Sequence, residues 1–208
     1  MSGLIFGKGL LVVMSAPSGA GKGTLRRALI NDNPGVVFCP SVTTREPRPG
    51  EVPGIDYVFV SPREFQVMMD GGELAEWASV YGNLYGTPRM ALEDLLAAGR
   101  TVLVEKDVQG AVALRPQYPE AVFVFVLPPS FEELKRRVEN RGTETHTQIC
   151  RRLSSYETEL LHVEDYDYVI VNDDIDKAKR LLESVISAEG CRVSRCRGLL
   201  LDGGREGG

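Results

Sequence analysis

The sequence has little of what marks secreted, membrane-spanning or nucleic-acid-binding proteins. No apolar run approaches the ~20 residues that a helix needs to cross a bilayer. Residues 1–11 lack the charged start and long apolar stretch of a signal peptide. The formal net charge of −5 leaves no general basic surface for nucleic acid. We therefore expect a cytoplasmic protein with neither a membrane nor a nucleic-acid partner.

Cysteine is also scarce. The four cysteines are scattered, at Cys39, Cys150, Cys191 and Cys196. A core built from 208 residues needs no disulfides, so reduced thiols are expected. Cys191 and Cys196 have no second Cys or His pair near them in the sequence, so they do not indicate a metal site.

What is present is a repeated pattern of buried strands and helices. Four short apolar runs lack the alternation of a half-exposed strand, and they are residues 10–14, 101–105, 121–126 and 168–171. Such runs are typical of strands buried on both faces of a parallel sheet. Helical patterns lie between and after them. The alternation predicts an α/β fold, a parallel sheet with helices on both faces.

Helix starts are marked by capping residues. Thr87 and Pro88 predict a helix with Thr87 as its cap and Pro88 at its first position. Capping-box patterns open two more helices, at Ser61 and Ser130. The last helix is expected at about residues 174–188.

A Gly-rich segment follows the first strand and precedes a helix, which is the context of a phosphate-binding P-loop. Its backbone N–H groups can surround a phosphate, and Lys22 can reach the β- and γ-phosphate oxygens. We predict that ATP is bound by Ala16, Pro17, Ser18, Gly19, Ala20, Gly21, Lys22, Gly23 and Thr24. The alternative is a Gly-rich turn that binds nothing.

The P-loop departs from the usual pattern at two positions. Ala16 stands where the first Gly is expected, and Gly23 follows Lys22 where a metal-binding hydroxyl is common. Thr24 comes one residue later. It either holds Mg²⁺ through a water or contacts the α-phosphate, and the sequence leaves both open.

Further segments resemble the guanylate kinase family. They are S-V-T-T-R-E-P-R-P-G-E at 41–51 with G-I-D-Y at 54–57, L-A-E-W at 74–77, Y-G-N-L-Y-G-T at 81–87, D-V-Q-G at 107–110, and matches at 141–145 and 171–174. The resemblance implies a P-loop nucleoside monophosphate kinase fold in a single domain. Its parts would be a core (9–40, 87–136 and 157–190), a GMP-binding subdomain (41–86), a lid (137–156) and a disordered tail (199–208).

The resemblance also implies a GMP site in which side-chain chemistry suits each contact. Guanidinium groups and tyrosine hydroxyls would bind the phosphate, and the Glu76 carboxylate would accept from guanine N1–H and N2–H₂. Thr87 would lie near O6, and Asp107 near the guanine and the reaction centre. The implied GMP-binding residues are Ser41, Arg45, Arg48, Glu51, Tyr57, Glu76, Tyr85, Thr87 and Asp107.

The remaining implied roles concern ATP, the metal and catalysis. Asn172 would lie near the adenine, and Thr24 and Glu105 would hold Mg²⁺ through water. The implied catalytic residues are Lys22, Arg45, Arg137, Arg141 and Arg152, the last three from the lid. Lys106 is unexpected, because the family more often has an apolar residue there. It is either a surface residue or an extra phosphate contact.

These residues predict transfer of the γ-phosphoryl of ATP to GMP, giving ADP and GDP, with dGMP as a second acceptor. Two alternatives stay open: a non-catalytic guanylate-kinase-like module that binds proteins, and a kinase for another nucleoside monophosphate. A P-loop GTPase or ATPase switch is disfavoured because the Asn-Lys-x-Asp motif is missing. The sequence does not decide between a monomer and a homodimer.

Overall fold

Strands and helices alternate along most of the chain. The structure is a computed structural model that describes residues 9–140 and 146–196, apart from the side chains of residues 146–148, 151 and 152. Its strands are β1 (Leu10–Ser15), β2 (Val36–Phe38), β3 (Ser41–Thr43), β4 (Tyr57–Phe59), β5 (Leu74–Val80), β6 (Asn83–Pro88), β7 (Thr101–Lys106), β8 (Val122–Leu127) and β9 (Tyr168–Val171). Its helices are α1 (Lys22–Asp32), α2 (Pro62–Asp70), α3 (Arg89–Ala97), α4 (Val108–Leu114), α5 (Phe131–Glu139), α6 (His146–Leu160) and α7 (Ile175–Gly190).

The larger sheet is parallel, with the strand order β2-β7-β1-β8-β9. Its central strand β1 is buried along its whole length because alternate residues enter different hydrophobic clusters. Leu10, Val12 and Met14 pack with residues of α1, α5 and α7 on one face. Leu11 and Val13 pack with residues of α3 and α4 on the other. The predicted parallel sheet between two helical layers is confirmed.

A smaller sheet, absent from the predicted parallel pattern, has the order β4-β3-β6-β5. The hairpin of β5 and β6 turns at Tyr81 and Gly82, and both have a positive φ. The register sets Glu76 opposite Thr87 and Tyr85 opposite Thr43. Several polar side chains of residues 41–88 are thereby brought to one small sheet.

The helix starts match the predictions only in part. Ser61 forms a complete capping box with Glu64. Ser130 accepts from the Glu133 backbone N–H, but the Glu133 carboxylate bonds Arg136 and Arg137, so the second box is incomplete.

The predicted start of α3 is wrong by one residue. Pro88 is the cap and α3 begins at Arg89, while Thr87 remains in β6. The reason is that the Thr87 hydroxyl donates to Glu76 across the sheet instead of capping the helix.

Two further features are the state of the cysteines and the character of the helices. The four cysteines are free thiols, and Cys39 is buried. Within residues 9–140 and 146–196, none of the helices combines the length and apolar character that a membrane crossing requires.

Candidate active site

The predicted P-loop connects β1 to α1 and has the shape of an anion cradle. Gly19 and Gly21 adopt φ values of 103° and 92°, a left-handed region that disfavours other residues. A Cβ on Gly19 would come within 2.5 Å of Val138, and one on Gly21 within 2.5 Å of Asn172 Nδ2. The Lys22 ammonium donates to the Lys106 carbonyl at 2.8 Å. The N-terminus of α1 therefore points into a loop whose backbone can approach a phosphate closely.

Two residues that were predicted to act at the ATP site form hydrogen bonds around the P-loop. Asn172 is 5% exposed and donates its side-chain amide to the Ala20 carbonyl at 2.7 Å. Arg137 donates to the Asn172 carbonyl at 3.2 Å and to Glu133 at 2.7 Å. Hydrogen bonds from Arg136 and Arg137 lower the pKa of Glu133 to about 2, so that this carboxylate stays charged. Asn172 and Arg137 thus contact the loop itself.

A second cationic pocket lies on the smaller sheet, around Arg45. Its guanidinium donates to the Tyr85 hydroxyl at 3.2 Å and to Glu51 at 2.8 Å, and lies 5.2 Å from the Tyr57 ring centroid. Burial lowers the pKa of Arg45, but the bonds to Glu51 and Tyr85 outweigh it and the net shift is upward. Burial and the charge of Glu105 raise the pKa of Tyr57 to about 12. Arg45 is held as a cation beside Tyr57 and Tyr85.

Glu51 contacts both arginines of this pocket. Its carboxylate accepts from the Arg45 side chain and, at 2.8 Å, from the Arg48 backbone N–H. These two bonds fix the loop that carries both arginines, and the predicted part of Glu51 in GMP binding stays a prediction.

Next to this pocket lies a buried polar cluster, the base cluster, made of Ser41, Glu76, Thr87 and Lys106. All four residues are at most 5% exposed. Glu76 Oε1 accepts from Thr87 Oγ1 at 2.6 Å and forms an ion pair with Lys106 Nζ at 2.7 Å. Lys106 Nζ also donates to Ser41 Oγ at 2.8 Å. Lys106 is therefore not a surface residue, and in this structure its ammonium contacts a carboxylate.

The C-terminal end of β7 joins the two regions. Asp107 caps α4, because its Oδ1 accepts from the Gly110 N–H at 2.9 Å. This bond fixes the orientation of the carboxylate. Glu105 lies 3.4 Å from Arg26 Nε, and its Oε1 is buried without a hydrogen-bond partner in the described part of the chain. Open α/β sheets bind their ligands at this edge.

Two predicted side chains are not described by the structure, and a third is exposed. Arg141 and the side chain of Arg152 lie outside the described residues. Thr24 lies in the first turn of α1 with an exposed side chain. Among residues 9–140 and 146–196, no cluster of three or more His, Cys, Asp or Glu residues could hold a metal ion by itself.

Sequence reasoning missed a buried charge pair and an acidic residue near the cradle. Arg26 of α1 forms an ion pair with Asp56, and its guanidinium lies 4.1 Å from the Phe38 ring centroid. This pair ties the P-loop helix to the loop before β4. Asp56 belongs to the G-I-D-Y segment, but nothing in the sequence identified its partner. Glu159 of α6 has a pKa raised by burial and lies within electrostatic reach of Lys22; no sequence signal marked it.

The fold and the two regions define a class, the P-loop α/β proteins that bind nucleotides. The model of the guanylate kinase family matches residues 8–189. A guanylate kinase of Desulfitobacterium hafniense is 49% identical over 187 residues, 90% of this chain and 94% of that protein. One of Symbiobacterium thermophilum is 48% identical over 195 residues, 94% and 92% of the two chains. A crystal structure of guanylate kinase from Anaplasma phagocytophilum has a TM-score of 0.78 at 37% identity, covering 93% of this chain and 92% of that one.

The chain belongs to the guanylate kinase family. The predicted family, its fold and its enzyme class are confirmed by these comparisons, which leave the individual site residues untested.

Proposed function

We propose that the chain transfers the γ-phosphoryl group of ATP to GMP, giving ADP and GDP, and that it also accepts dGMP. The observation that carries this proposal is the double contact of Lys106. Its carbonyl accepts from Lys22 of the P-loop, and its ammonium contacts Glu76 of the base cluster. A phosphate cradle and a buried acceptor for a base are therefore neighbours at one edge of the sheet.

The GMP phosphate is proposed to bind at the Arg45 pocket. A guanidinium fork and tyrosine hydroxyls match phosphate oxygens in geometry and charge. Arg45 is already oriented by Tyr85 and Glu51, so little side-chain freedom is lost when the phosphate arrives. Arg48 is proposed to contribute a second guanidinium, since Glu51 fixes its backbone.

Guanine is proposed to bind at the base cluster. Glu76 Oε1 is occupied by Thr87 and Lys106, but Oε2 has no hydrogen-bond partner among the described residues. Guanine presents N1–H and N2–H₂ as donors, whereas adenine lacks that pair. A buried carboxylate left unpaired by the wrong base gives strong discrimination.

The ATP phosphates are proposed to bind at the P-loop, with Lys22 moving from the Lys106 carbonyl to phosphate oxygens. Phosphoryl transfer depends on positioning and on stabilising spread negative charge, so no histidine base is required. We propose the subdomain 41–86 and the lid 137–156 as the parts that close around the nucleotides and exclude water.

Mg²⁺ is proposed as the cofactor, and the residues present fit it. Glu105 Oε1 is buried, lies 3.4 Å from Arg26 Nε and has no hydrogen-bond partner among the described residues, and it is an oxygen acceptor of the kind that binds a hydrated Mg²⁺. It lies beside the start of α1, since a Cβ on Gly23 would be 4.0 Å from it. Glu105 and Thr24 would hold the ion through water. When bound, Mg²⁺ neutralises charge on the β- and γ-phosphate oxygens.

The reaction is tested by following ADP formation with ATP and Mg²⁺ and, in parallel, GMP, dGMP, AMP, CMP or UMP. The proposal expects activity with GMP and dGMP only. Activity with AMP alone would identify a kinase of other specificity. A folded sample that is inactive with every nucleotide would point to a non-catalytic binding module.

The role of Glu76 is tested by Glu76→Gln. An amide turns one acceptor oxygen into a donor that faces the guanine donors, so kcat/KM for GMP should fall about 100-fold or more. The matched control is Glu73→Gln, an exposed position three residues earlier, which should stay within about twofold of the unchanged chain. Equal activity of the two variants would remove Glu76 from the proposed site.

A further inference from the structure

Lys106 carries an inference that goes beyond the resemblance. Its side chain is 4% exposed and that of Glu76 is 2% exposed. A lysine at this depth requires a counter-charge and hydrogen bonds, and Glu76 and Ser41 supply them.

The donors of the base cluster can be counted. The Thr87 hydroxyl has a single proton, and it is donated to Glu76 Oε1. Thr87 therefore has no proton left for guanine O6, the contact that the resemblance implies for it. The Lys106 ammonium has three N–H donors, of which one is donated to Ser41 and a second faces Glu76 in the ion pair. The third has no partner among the residues that the structure describes.

Guanine and adenine differ in polarity at position 6. Guanine carries an oxygen that only accepts, and adenine carries an amino group that donates. An ammonium only donates, so it favours the guanine oxygen and disfavours the adenine amino group. On the purine edge O6 is adjacent to N1, and Lys106 Nζ lies 2.7 Å from the carboxylate proposed to bind N1–H.

We propose that Lys106 determines base specificity in this chain. Its ammonium holds Glu76 so that Oε2 faces the N1–H and N2–H₂ donors, and its third N–H donates to guanine O6. This inference rests on the proposed function, since it concerns the acceptor base of the same reaction.

The test compares the unchanged chain with Lys106→Met, which keeps side-chain length and removes the donors. Each is assayed with GMP and with 6-thioguanosine 5′-monophosphate, which retains N1–H and N2–H₂ and replaces O6 by sulfur, a weak acceptor. The unchanged chain should prefer GMP by about tenfold or more in kcat/KM, the value of one charge-assisted hydrogen bond. In Lys106→Met the KM for GMP should rise about tenfold with kcat within about threefold, and the preference should approach one.

The control variant is Lys135→Met, an exposed lysine of α5, which should behave as the unchanged chain. If Lys106→Met kept both the KM for GMP and the preference for oxygen over sulfur, the inference would be overturned. A fall in kcat and melting temperature with an unchanged preference would also overturn it, because that is the signature of a purely structural ion pair.

A variant that does not fold and a chain that is inactive with GMP have different consequences. If Lys106→Met does not fold, Lys106→Gln replaces it. It keeps a shorter, uncharged N–H donor, so it should show an intermediate preference; a preference equal to that of the unchanged chain would overturn the inference. If the unchanged chain does not phosphorylate GMP at all, the proposed function fails before any variant is compared.

Discussion

Gly21→Ala tests how the P-loop is built. Gly21 has φ 92° and ψ 19° and caps α1. Alanine in this left-handed region costs about 1–2 kcal/mol. Its Cβ would lie 2.5 Å from Asn172 Nδ2, the atom that donates to the Ala20 carbonyl. Moving the amide away leaves the buried Ala20 carbonyl with only the longer contact from Arg137 at 3.5 Å, at a cost of about 1–2 kcal/mol.

The two effects together predict a loss of about 2–4 kcal/mol in the free energy of unfolding. For a chain of 208 residues, each kcal/mol corresponds to about 2–4 °C in melting temperature. Gly21→Ala should therefore melt about 5–15 °C lower, measured by circular dichroism without nucleotide.

Gly23→Ala is the matched control, two residues away with the same chemical change. Its φ is not positive, and the nearest atom to its Cβ is Glu105 Oε1 at 4.0 Å. Alanine is favoured in a helix by up to about 1 kcal/mol, so the melting temperature should stay or rise slightly. Equal shifts for both variants would refute the strain and the Asn172 contact as the reason for glycine at position 21.

Two further changes probe the stability of the fold. Asp56→Asn removes the nearer of two carboxylates beside the buried Arg26 and leaves Glu105 at 3.4 Å, so urea unfolding at pH 7 should show a loss of about 3 kcal/mol, the low end for a broken buried ion pair. Burial raises the pKa of Asp56, but the hydrogen bond from the Val52 backbone N–H and the interaction with Arg26 outweigh burial, and the net shift is downward. The stability that Asp56 contributes is therefore present above about pH 4 and is lost as pH falls through its folded pKa. If the two proteins differed in stability as much at low pH as at pH 7, the assignment would be contradicted. Ser61→Ala removes the cap of α2 and should cost about 1 kcal/mol, or about 2–4 °C in melting temperature. Ser187→Ala, on the exposed side of α7, should show no loss, and equal losses would exclude capping as the cause.

Local patterns in the sequence were enough to predict the frame of the protein. Buried strands read as continuous apolar runs, and the Gly-rich segment between β1 and α1 indicated the cradle. These signals depend on neighbours along the chain, so they can be recognised without a structure. β2 was missed because three residues, Val36–Phe38, are too short to show a period.

Helix starts show where local patterns stop being sufficient. Ser61 and Glu64 satisfy each other and need no other element, so the box was predicted correctly. The Thr87 hydroxyl donates to Glu76 on the next strand, and the Glu133 carboxylate accepts from two arginines. In both places the side chain that the local pattern predicted as part of a cap forms its hydrogen bond with another residue.

The sequence by itself determined the alternation of buried strands with helices, the Gly-rich loop between β1 and α1 and the family to which the chain belongs, because each is written in contiguous residues. Only the tertiary structure decided that Lys106 contacts Glu76, that Arg26 binds Asp56 and that Asn172 braces Ala20. These partners are 30 to 152 residues apart. A buried charge or amide is stable only when it is paired, and its partner can come from any part of the chain that the fold brings near. The spacing of residues along the sequence therefore does not predict which partner it is.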